Sequence, residues 1–247
     1  MERLKVTGLP VDVLDLVGLL DGVSELIERG ARSTVAYLNV HVANVAAKDQ
    51  RLAKFLNGCD IVYCDGEGIR LGAKMLGHEL PERMTGADWI WDLAARAEGE
   101  WRIFWIGGEP GVTHRAAEKL TERHPDLEIA CDHGFYQGDR YKGVVKRINE
   151  FEPHIILVGM GTPLQEQWVE RWRDELDAPV VWVLGATADF ISGEVNRGPQ
   201  WLYERQEWLA RLITEPRRLA SRYLIGNGRF LARVGRERIS KDLGWGS

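Results

Sequence analysis

The chain has 247 residues, of which 45% are hydrophobic and 28% are charged, and its formal net charge is −5. These values exclude a disordered chain, and the acidic balance argues against a nucleic-acid partner, which usually meets a basic domain. The length suits one large α/β domain or two small ones.

Short apolar stretches, several of them rich in β-branched residues, recur along the chain and predict strands that are covered on both faces. Helical stretches alternate with them, which predicts an α/β fold: a Rossmann-like, mostly parallel sheet with helices on both faces. In chain order, the predicted strands are 4–8, 34–39, 61–64, 102–106, 128–131, 154–158 and 180–184, and the predicted helices include 42–56, 86–97, 112–124 and 143–151.

Glycine and polar residues follow the predicted strands, at the positions where open parallel sheets bind their ligands. Glycine occurs at five of the six strand ends considered, where it lets a ligand approach the backbone, and the next helix offers free N–H groups to phosphate. These strand ends are 39–41, 65–68, 107–111, 133–136, 159–163 and 185–189.

The stretch Gly107–Gly108–x–x–Gly111 follows an apolar strand and precedes a helix. It is either a cradle for a diphosphate or an ordinary turn between a strand and a helix. Its spacing differs from the G-x-G-x-x-G fingerprint of dinucleotide-binding proteins.

The stretch Gly159–x–Gly161–x–Pro163–x–Gln165–Glu166 is more specific. Pro163 suits the first turn of a helix, which would place Gln165 and Glu166 in that turn, near the strand ends. The Gln165 amide can donate and accept hydrogen bonds, which suits sugar hydroxyls, and Glu166 suits the positive end of the helix dipole as a cap. Both roles can hold together.

Charged residues near the strand ends allow two interpretations each. Asp65 directly follows a predicted strand and is either a general base facing a pocket or the cap of the next helix. Arg83 could bind an anion in a bidentate manner, or be a surface charge near the first-turn acid Asp88. Asp189 could bind a ribose or a base, or cap a turn. His41 is interpreted as a structural residue.

The sequence predicts neither a metal site nor a cofactor. No Asp-x-Asp pair occurs in the chain, although many nucleotide-sugar transferases hold a divalent metal with one, so a diphosphate leaving group would need arginines and helix N-termini. Three cysteines without zinc-like spacing fit a reducing compartment. Without a signal-peptide pattern or an apolar run of ~18 residues, the chain is expected in the cytoplasm, soluble or peripheral to a membrane.

The C-terminal part differs in charge from the rest of the chain. Residues 197–238 hold ten arginines and four glutamates, a net +6, whereas the remainder carries −11. Arg217, Arg218 and Arg222 lie beside an aromatic-apolar face, a pattern typical of an interfacial membrane helix. The alternatives are a helix packed on the core with a solvated basic face, and a contact between copies in a homo-oligomer. The predicted division is a catalytic core at 1–196 and a helical appendage at 197–247.

Taken in order, these motifs resemble the WecG/TagA/CpsF family of glycosyltransferases over nearly the whole chain. Each motif alone is modest, but the ordered set is highly specific. The matching stretches are Asn39, 64–68, 83–88, Gly107–Gly108, 159–168, 189–193, 197–201, 207–212 and 215–217.

The resemblance implies an inverting, metal-independent transfer of N-acetylmannosamine, or its uronic acid, from UDP. The implied acceptor is N-acetylglucosamine on a polyprenyl diphosphate, used for teichoic-acid linkage units or surface polysaccharides. It also implies a cytoplasmic enzyme, peripheral at the inner face of the cell membrane, whose C-terminal appendage docks on the membrane and completes the active site.

The resemblance assigns roles to particular residues. Asp65 corresponds to the proposed catalytic base. The implied substrate-binding residues are Asn39, Arg83, Gln165, Arg217, Arg218 and Arg222, and the implied nucleotide-binding residues are Gly108, Tyr136, Gly159, Gly161 and Asp189.

The sequence also departs from the family pattern. The family often carries Thr at the position of Tyr37, so a hydroxyl contact there would have a different reach. Cys64 replaces the usual Ala or Pro. Two other functions compete with the transferase. One is an NAD-dependent oxidoreductase with Gly107–Gly108 as its fingerprint and Asp132 on the ribose. The other is a non-catalytic protein that binds a nucleotide sugar.

Overall fold

The computed structural model describes residues 1–136, 138, 140–194 and 225–243. Its centre is a six-stranded sheet in the order β4-β3-β8-β7-β5-β6, in which every neighbouring pair is parallel. The predicted α/β fold with a parallel sheet flanked by helices is confirmed. The strands are β3 (Ser33–Leu38), β4 (Ile61–Cys64), β5 (Ile103–Gly107), β6 (Ile129–Asp132), β7 (Ile155–Gly159) and β8 (Val180–Val183).

The first predicted strand is wrong in its placement. Instead of joining the parallel sheet, it forms an antiparallel hairpin of β1 (Arg3–Val6) and β2 (Leu9–Asp12). The hairpin turns at Thr7 and Gly8, which both have positive φ, as two-residue hairpin turns require. Asp12 is fully buried and accepts a hydrogen bond from the Val62 N–H at 2.6 Å. The hairpin therefore covers the edge of β4, which would otherwise be exposed.

The helices cover the sheet in the order that the alternating pattern predicts. One predicted helix, 42–56, is in fact two helices, because the Asp49 carboxylate accepts hydrogen bonds from the N–H groups of Arg51 and Leu52 and starts a second helix there. The helices are α1 (Leu16–Arg29), α2 (Val40–Ala46), α3 (Gln50–Gly58), α4 (Glu67–Met75), α5 (Gly86–Ala97), α6 (Val112–Arg123), α7 (Arg140–Phe151), α8 (Leu164–Trp172), α9 (Thr187–Ser192) and α10 (Gly226–Asp242).

The core is formed by buried strands and a cluster of aromatic rings. All residues of β5, β7 and β8 are buried, as expected for strands covered on both faces. Trp89 of α5 stacks on Trp182 of β8 with ring centroids 4.2 Å apart, and Tyr63 of β4 meets both rings edge-on at 6.0 Å. These contacts join α5 to β4 and β8, which lie on either side of β3 in the sheet.

Helix α10, the described part of the predicted appendage, packs on the core. Phe230 is fully buried, and a Cβ added at Gly72 of α4 would lie 2.8 Å from its ring. Arg233 donates to the Asn44 side chain of α2 at 2.8 Å, and Glu237 accepts from the Thr7 N–H at 2.8 Å. This helix therefore touches α2 and α4, which follow β3 and β4. The predicted boundary at 196/197 stays a prediction.

None of the helices in the described ranges is long and apolar enough to cross a bilayer.

Candidate active site at the carboxyl edge of the sheet

The strand order spreads the predicted site residues along one edge of the sheet. Because all six strands are parallel, their carboxyl ends lie at the same edge. Asp65 follows β4, at one side, whereas Gly108 follows β5, which lies four strands further along. With about 4.8 Å between neighbouring strands, these two ends are ~19 Å apart. The residues therefore lie along one extended edge of the sheet, here called the cleft because ligands of open parallel sheets bind in a crevice at that edge. Its length suits an extended ligand rather than a compact one.

Asp65 and Asn39 form a hydrogen-bonded pair at the ends of β4 and β3. The Asn39 amide nitrogen donates to the Asp65 carboxylate at 2.8 Å, while its oxygen accepts from the Val42 N–H at 2.9 Å and caps α2. The capping bond fixes which end of the amide faces Asp65. Both residues are partly exposed.

Asp65 does not occupy the N-cap position of the next helix. That position in α4 is Gly66, one residue later. Instead, the Asp65 N–H donates to the Leu38 carbonyl at 2.9 Å and continues the pairing of β3 with β4. The carboxylate is therefore placed by the sheet itself, at the edge where ligands bind.

The segment that carries Arg83 runs beside the end of β4. The Met84 N–H donates to the Cys64 carbonyl at 2.9 Å, so Arg83 lies in a segment that borders Asp65. Thr85 is buried and donates to the Asp88 carboxylate at the start of α5. Arg83 is partly buried, whereas Asp88 is exposed. The segment that contains Arg83 therefore runs next to the Asp65–Asn39 pair.

Gln165 is fully buried and links three strand ends. Its amide oxygen accepts from the Gly185 N–H at 3.0 Å, and its amide nitrogen donates to Glu166 at 2.9 Å. The same nitrogen lies 3.4 Å from the Tyr37 hydroxyl and 3.4 Å from the Thr162 hydroxyl. The predicted contact of Gln165 with a sugar stays a prediction, because both ends of its amide bond within the protein here.

Glu166 is buried in the first turn of α8, where its carboxyl group lies at the positive end of the helix dipole. Its Oε1 accepts from the Thr162 hydroxyl at 2.8 Å as well as from Gln165. Burial raises the pKa of Glu166, and its hydrogen bonds oppose that rise. Besides this place at the start of the helix, Glu166 belongs to the side-chain cluster of Tyr37, Thr162, Gln165 and Glu166, here called the polar cluster.

Tyr37 occupies the position where the family often carries Thr, and its hydroxyl lies at the centre of the polar cluster. Burial raises the pKa of Tyr37, and the nearby charges of Glu166 and Asp65 raise it further, so the phenol is neutral at pH 7. The hydroxyl also lies beneath Gly185, where an added Cβ would be only 2.8 Å from it. Tyr37 therefore lies between the Asp65 side of the cleft and the loops after β7 and β8.

The glycines at the strand ends serve two different purposes. A Cβ added at Gly107 would lie 2.2 Å from the Gly159 carbonyl oxygen, and one added at Gly159 would lie 2.7 Å from the Gly185 carbonyl oxygen. These glycines are therefore explained by packing between loops, and the nucleotide contact of Gly159 stays a prediction. Gly161 and Gly108 have positive φ, and no described atom lies within 4 Å of a Cβ added at Gly161. Gly161 thus borders open space.

The end of β6 carries an aromatic pair. Tyr136 stacks on His133 with ring centroids 3.9 Å apart and an angle of 22° between the planes. The Tyr136 hydroxyl donates to Asp132, which also forms an ion pair with Arg147. Burial opposes ionisation of Asp132, but these partners outweigh it and hold its pKa below the usual value. The carboxylate assigned to the ribose by the oxidoreductase hypothesis is thus already engaged.

The structure describes one of the remaining predicted site residues, Asp189, but not the three C-terminal arginines. Asp189 lies in the first turn of α9 and is partly buried. Helix α9 meets the start of α5, where a Cβ added at Gly86 would lie 2.1 Å from the Thr187 hydroxyl. Arg217, Arg218 and Arg222 lie outside the described residues. In the ranges that the structure describes, no group of three His, Cys, Asp or Glu side chains could hold a metal ion.

Sequence reasoning missed Thr162 and the clustering of Tyr37 with Glu166. Thr162 follows Gly161 in the loop after β7 and is partly exposed, and its hydroxyl bonds to Glu166. The signal for Thr162 in the sequence is its position between Gly161 and Pro163, in the loop that follows a predicted strand.

The chain is similar to known glycosyltransferases over nearly its whole length. A family model described as "Glycosyl transferase WecG/TagA/CpsF family" matches residues 4–243. The chain is similar to the N-acetylglucosaminyldiphosphoundecaprenol N-acetyl-beta-D-mannosaminyltransferase of Bacillus subtilis (strain 168), with 27% identity over 219 residues, which is 87% of this chain and 85% of that protein. The enzyme of the same name from Bacillus spizizenii is 28% identical over 217 residues, covering 85% and 84%. The one from Staphylococcus aureus (strain NCTC 8325 / PS 47) is 22% identical over 222 residues, covering 88% and 87%.

Proposed function

The chain belongs to the WecG/TagA/CpsF family of glycosyltransferases, and from this membership we propose that it transfers N-acetylmannosamine, or its uronic acid, from UDP to a lipid-linked acceptor. The acceptor is N-acetylglucosamine on a polyprenyl diphosphate, as in the names of its relatives. The observation that carries the proposal is the Asp65 carboxylate at the end of β4, held by the Asn39 amide at the ligand-binding edge of the sheet.

Asp65 acts as the general base in this mechanism. It takes the proton from the acceptor hydroxyl while that oxygen forms a bond to the anomeric carbon of the donor sugar. The bond from this carbon to the phosphate oxygen breaks, and UDP leaves with the electron pair. One base and one displacement invert the anomeric centre without a covalent intermediate. General-base assistance of this kind contributes about 10²- to 10⁴-fold.

The nucleotide lies on the other side of the cleft. We assign the diphosphate to the loops that contain Gly108, Gly159 and Gly161, where backbone N–H groups and positive φ allow close approach. Tyr136, whose ring is fixed by His133 and Asp132, and Asp189 in α9 are assigned to the uridine. The ~19 Å between the ends of β4 and β5 gives room for the donor sugar to extend from the nucleotide to Asp65.

Arginines replace a metal ion in the proposal. Arg83 borders Asp65 and binds substrate anions, whereas Arg217, Arg218 and Arg222 neutralise the departing diphosphate and dock the appendage on the inner face of the membrane. Guanidinium groups suit this role because they bind phosphate oxygens in a bidentate manner. The support is the sequence pattern and the position of α10, which joins the appendage to the helices after Asn39 and Asp65.

A donor screen tests the proposal. Purified enzyme is mixed with a short-chain lipid diphosphate that carries N-acetylglucosamine and with each of several UDP-sugars, with and without a chelator, and products are detected by mass spectrometry. We expect product from UDP-N-acetylmannosamine or its uronic acid at rates that the chelator leaves unchanged. Binding of UDP without turnover of any donor would favour the non-catalytic alternative, and loss of activity with the chelator would refute metal independence.

The role of the appendage needs substitutions rather than truncation. Because Phe230 of α10 is buried in the core, a chain that ends near residue 197 would lose core packing as well as arginines. The triple variant R217A/R218A/R222A in the full chain avoids this problem. We expect weaker binding to anionic liposomes and slower transfer with retained UDP binding. Unchanged liposome binding would refute the docking role.

A further inference from the structure

The Thr162 hydroxyl has a fixed hydrogen-bonding direction. It donates to Glu166 Oε1 at 2.8 Å, and that oxygen also accepts from the Gln165 amide nitrogen at 2.9 Å. The Glu166 carboxylate can only accept, so the single hydroxyl proton of Thr162 points to Glu166 Oε1.

The backbone of Gly185 fixes the orientation of the Gln165 amide, and the amide in turn fixes its contact with Glu166. The Gly185 N–H can only donate, so it binds the oxygen of the Gln165 amide, and the amide nitrogen must face Glu166. Glu166 is only 3% exposed, and its Oε2 has no hydrogen-bond partner among the described residues. A buried carboxylate with one unpaired oxygen is costly, which is typical of a group retained for a role beyond packing.

Thr162 is the member of the polar cluster with access to solvent, in the loop after β7. It is partly exposed, whereas Tyr37, Gln165 and Glu166 are buried. Its hydroxyl oxygen lies 3.5 Å from the hydroxyl of Tyr37, a residue of β3 that precedes Asn39 by two positions. Thr162 itself is in the loop after β7. The hydroxyl therefore reaches across the end of β8 toward the side of the cleft that holds Asp65.

We propose that Thr162 binds the transferred sugar as a hydrogen-bond acceptor, and that Glu166 is the positioning residue that keeps it an acceptor. With its proton committed to Glu166, the Thr162 oxygen offers lone pairs to a donor group of the sugar, an N–H or a hydroxyl. The inference rests on the proposed function and adds a selective contact to it: the sugar must present a donor at this position.

Matched substitutions at Thr162 test the contact. T162S keeps the hydroxyl and T162V keeps the shape without it. We expect T162S to retain kcat/KM for the donor within about two-fold and T162V to lose about ten-fold, the effect of one neutral hydrogen bond. In calorimetry, T162V should bind the UDP-sugar more weakly than wild type but bind UDP equally well.

Substitutions at Glu166 test the positioning role. E166Q keeps an acceptor oxygen and should stay near wild type, whereas E166L frees the Thr162 proton and should lose about as much kcat/KM as T162V. Because both changes remove the same contact, E166L/T162V should lose no more than either alone. E170L, one turn further along α8 on an exposed position, is the control.

The outcomes separate this inference from the function on which it rests. If wild type transfers sugar but T162V matches it in kcat/KM and in UDP-sugar affinity, the inference is wrong and the function stands. Additive losses in E166L/T162V would overturn the positioning role. If E166L does not fold, the comparison of T162V with T162S still decides whether the hydroxyl matters. If wild type neither binds nor transfers any UDP-sugar, both the function and the inference fail.

Discussion

Gly185 and Tyr37 provide the sharpest structural prediction, because one added carbon atom should disturb the centre of the site. Gly185 has φ +65, and a Cβ there would lie 2.8 Å from the Tyr37 oxygen and 3.5 Å from its Cζ. Alanine in this left-handed conformation costs about 1–2 kcal/mol. Crowding a buried ring adds about 1–3 kcal/mol. We therefore expect Gly185→Ala to lower the free energy of unfolding by about 2–5 kcal/mol.

The two contributions can be separated by matched variants. Gly30 also has φ +65, but no described atom lies within 4 Å of its added Cβ, so Gly30→Ala should show the backbone cost alone. Tyr37→Phe removes the clashing oxygen and leaves only the ordinary 3.5 Å contact with the ring. Its own cost should be about 1 kcal/mol or less, because the hydroxyl makes only long hydrogen bonds of 3.4 and 3.5 Å. The double variant Y37F/G185A should thus be more stable than G185A, by about 1–2 kcal/mol.

Urea unfolding followed by tryptophan fluorescence measures the stability of the wild type and of all four variants. The chain has ten tryptophans. One of them, Trp182 in β8, lies three residues before Gly185, so the fluorescence reports on this region. The reasoning is refuted if G185A is no less stable than G30A, or if Y37F lowers the stability of G185A further.

Three further predictions concern the buried residues Asp12, Phe230 and Glu166. Asp12→Asn should cost about 2–3 kcal/mol in urea unfolding. The substitution breaks the ion pair of Arg3 with the fully buried Asp12. The expected loss of stability is less than that of a fully buried pair because the Arg3 side chain is 33% exposed. A loss below 1 kcal/mol would contradict the edge-covering role of the hairpin. Phe230→Ala should remove about 3 kcal/mol of packing and raise hydrogen exchange in α10 while the sheet stays protected; unchanged exchange in α10 would contradict its docking. Glu166→Gln should gain stability relative to wild type as the pH rises from 4 to 8. Burial raises the folded pKa of Glu166 above its ordinary value of 4.5, so its carboxylate weakens the fold progressively as the pH passes from that value through the folded pKa. A stability difference that does not change with pH would contradict this.

The sequence was informative where a pattern was local. The runs at Ile61–Cys64 and Ile155–Gly159 are buried on both faces and were predicted within a residue, because continuous apolar stretches of that length have few alternatives. The hairpin was missed because its turn has Thr7 at the first central position, where turns of this kind usually have Asn or Asp. The break at Asp49 was missed because a helix pattern continues through it, although the Asp side chain starts a new helix.

The site depended on contacts that sequence spacing does not reveal. Asn39 and Asp65 are 26 residues apart and meet only because β3 and β4 are neighbours in the sheet. The burial of Gln165 depends on Gly185, which ends a different strand. The docking of α10 could have been anticipated, since Phe230 and Val234 are four residues apart on one helical face and both are fully buried. This apolar pair was overlooked because arginines surround it in the sequence.

Asp65→Asn tests whether the strand-end carboxylate does the chemistry. Asparagine keeps the shape and retains an oxygen for the Asn39 amide, but it is no base. The rate of transfer from UDP-N-acetylmannosamine should fall at least ~100-fold at saturating substrate. UDP affinity should stay within a few-fold of wild type, and Asp126→Asn, an exposed position before β6, should have no effect. Turnover by Asp65→Asn within several-fold of wild type would show that the proton is taken elsewhere and that the proposed mechanism is wrong.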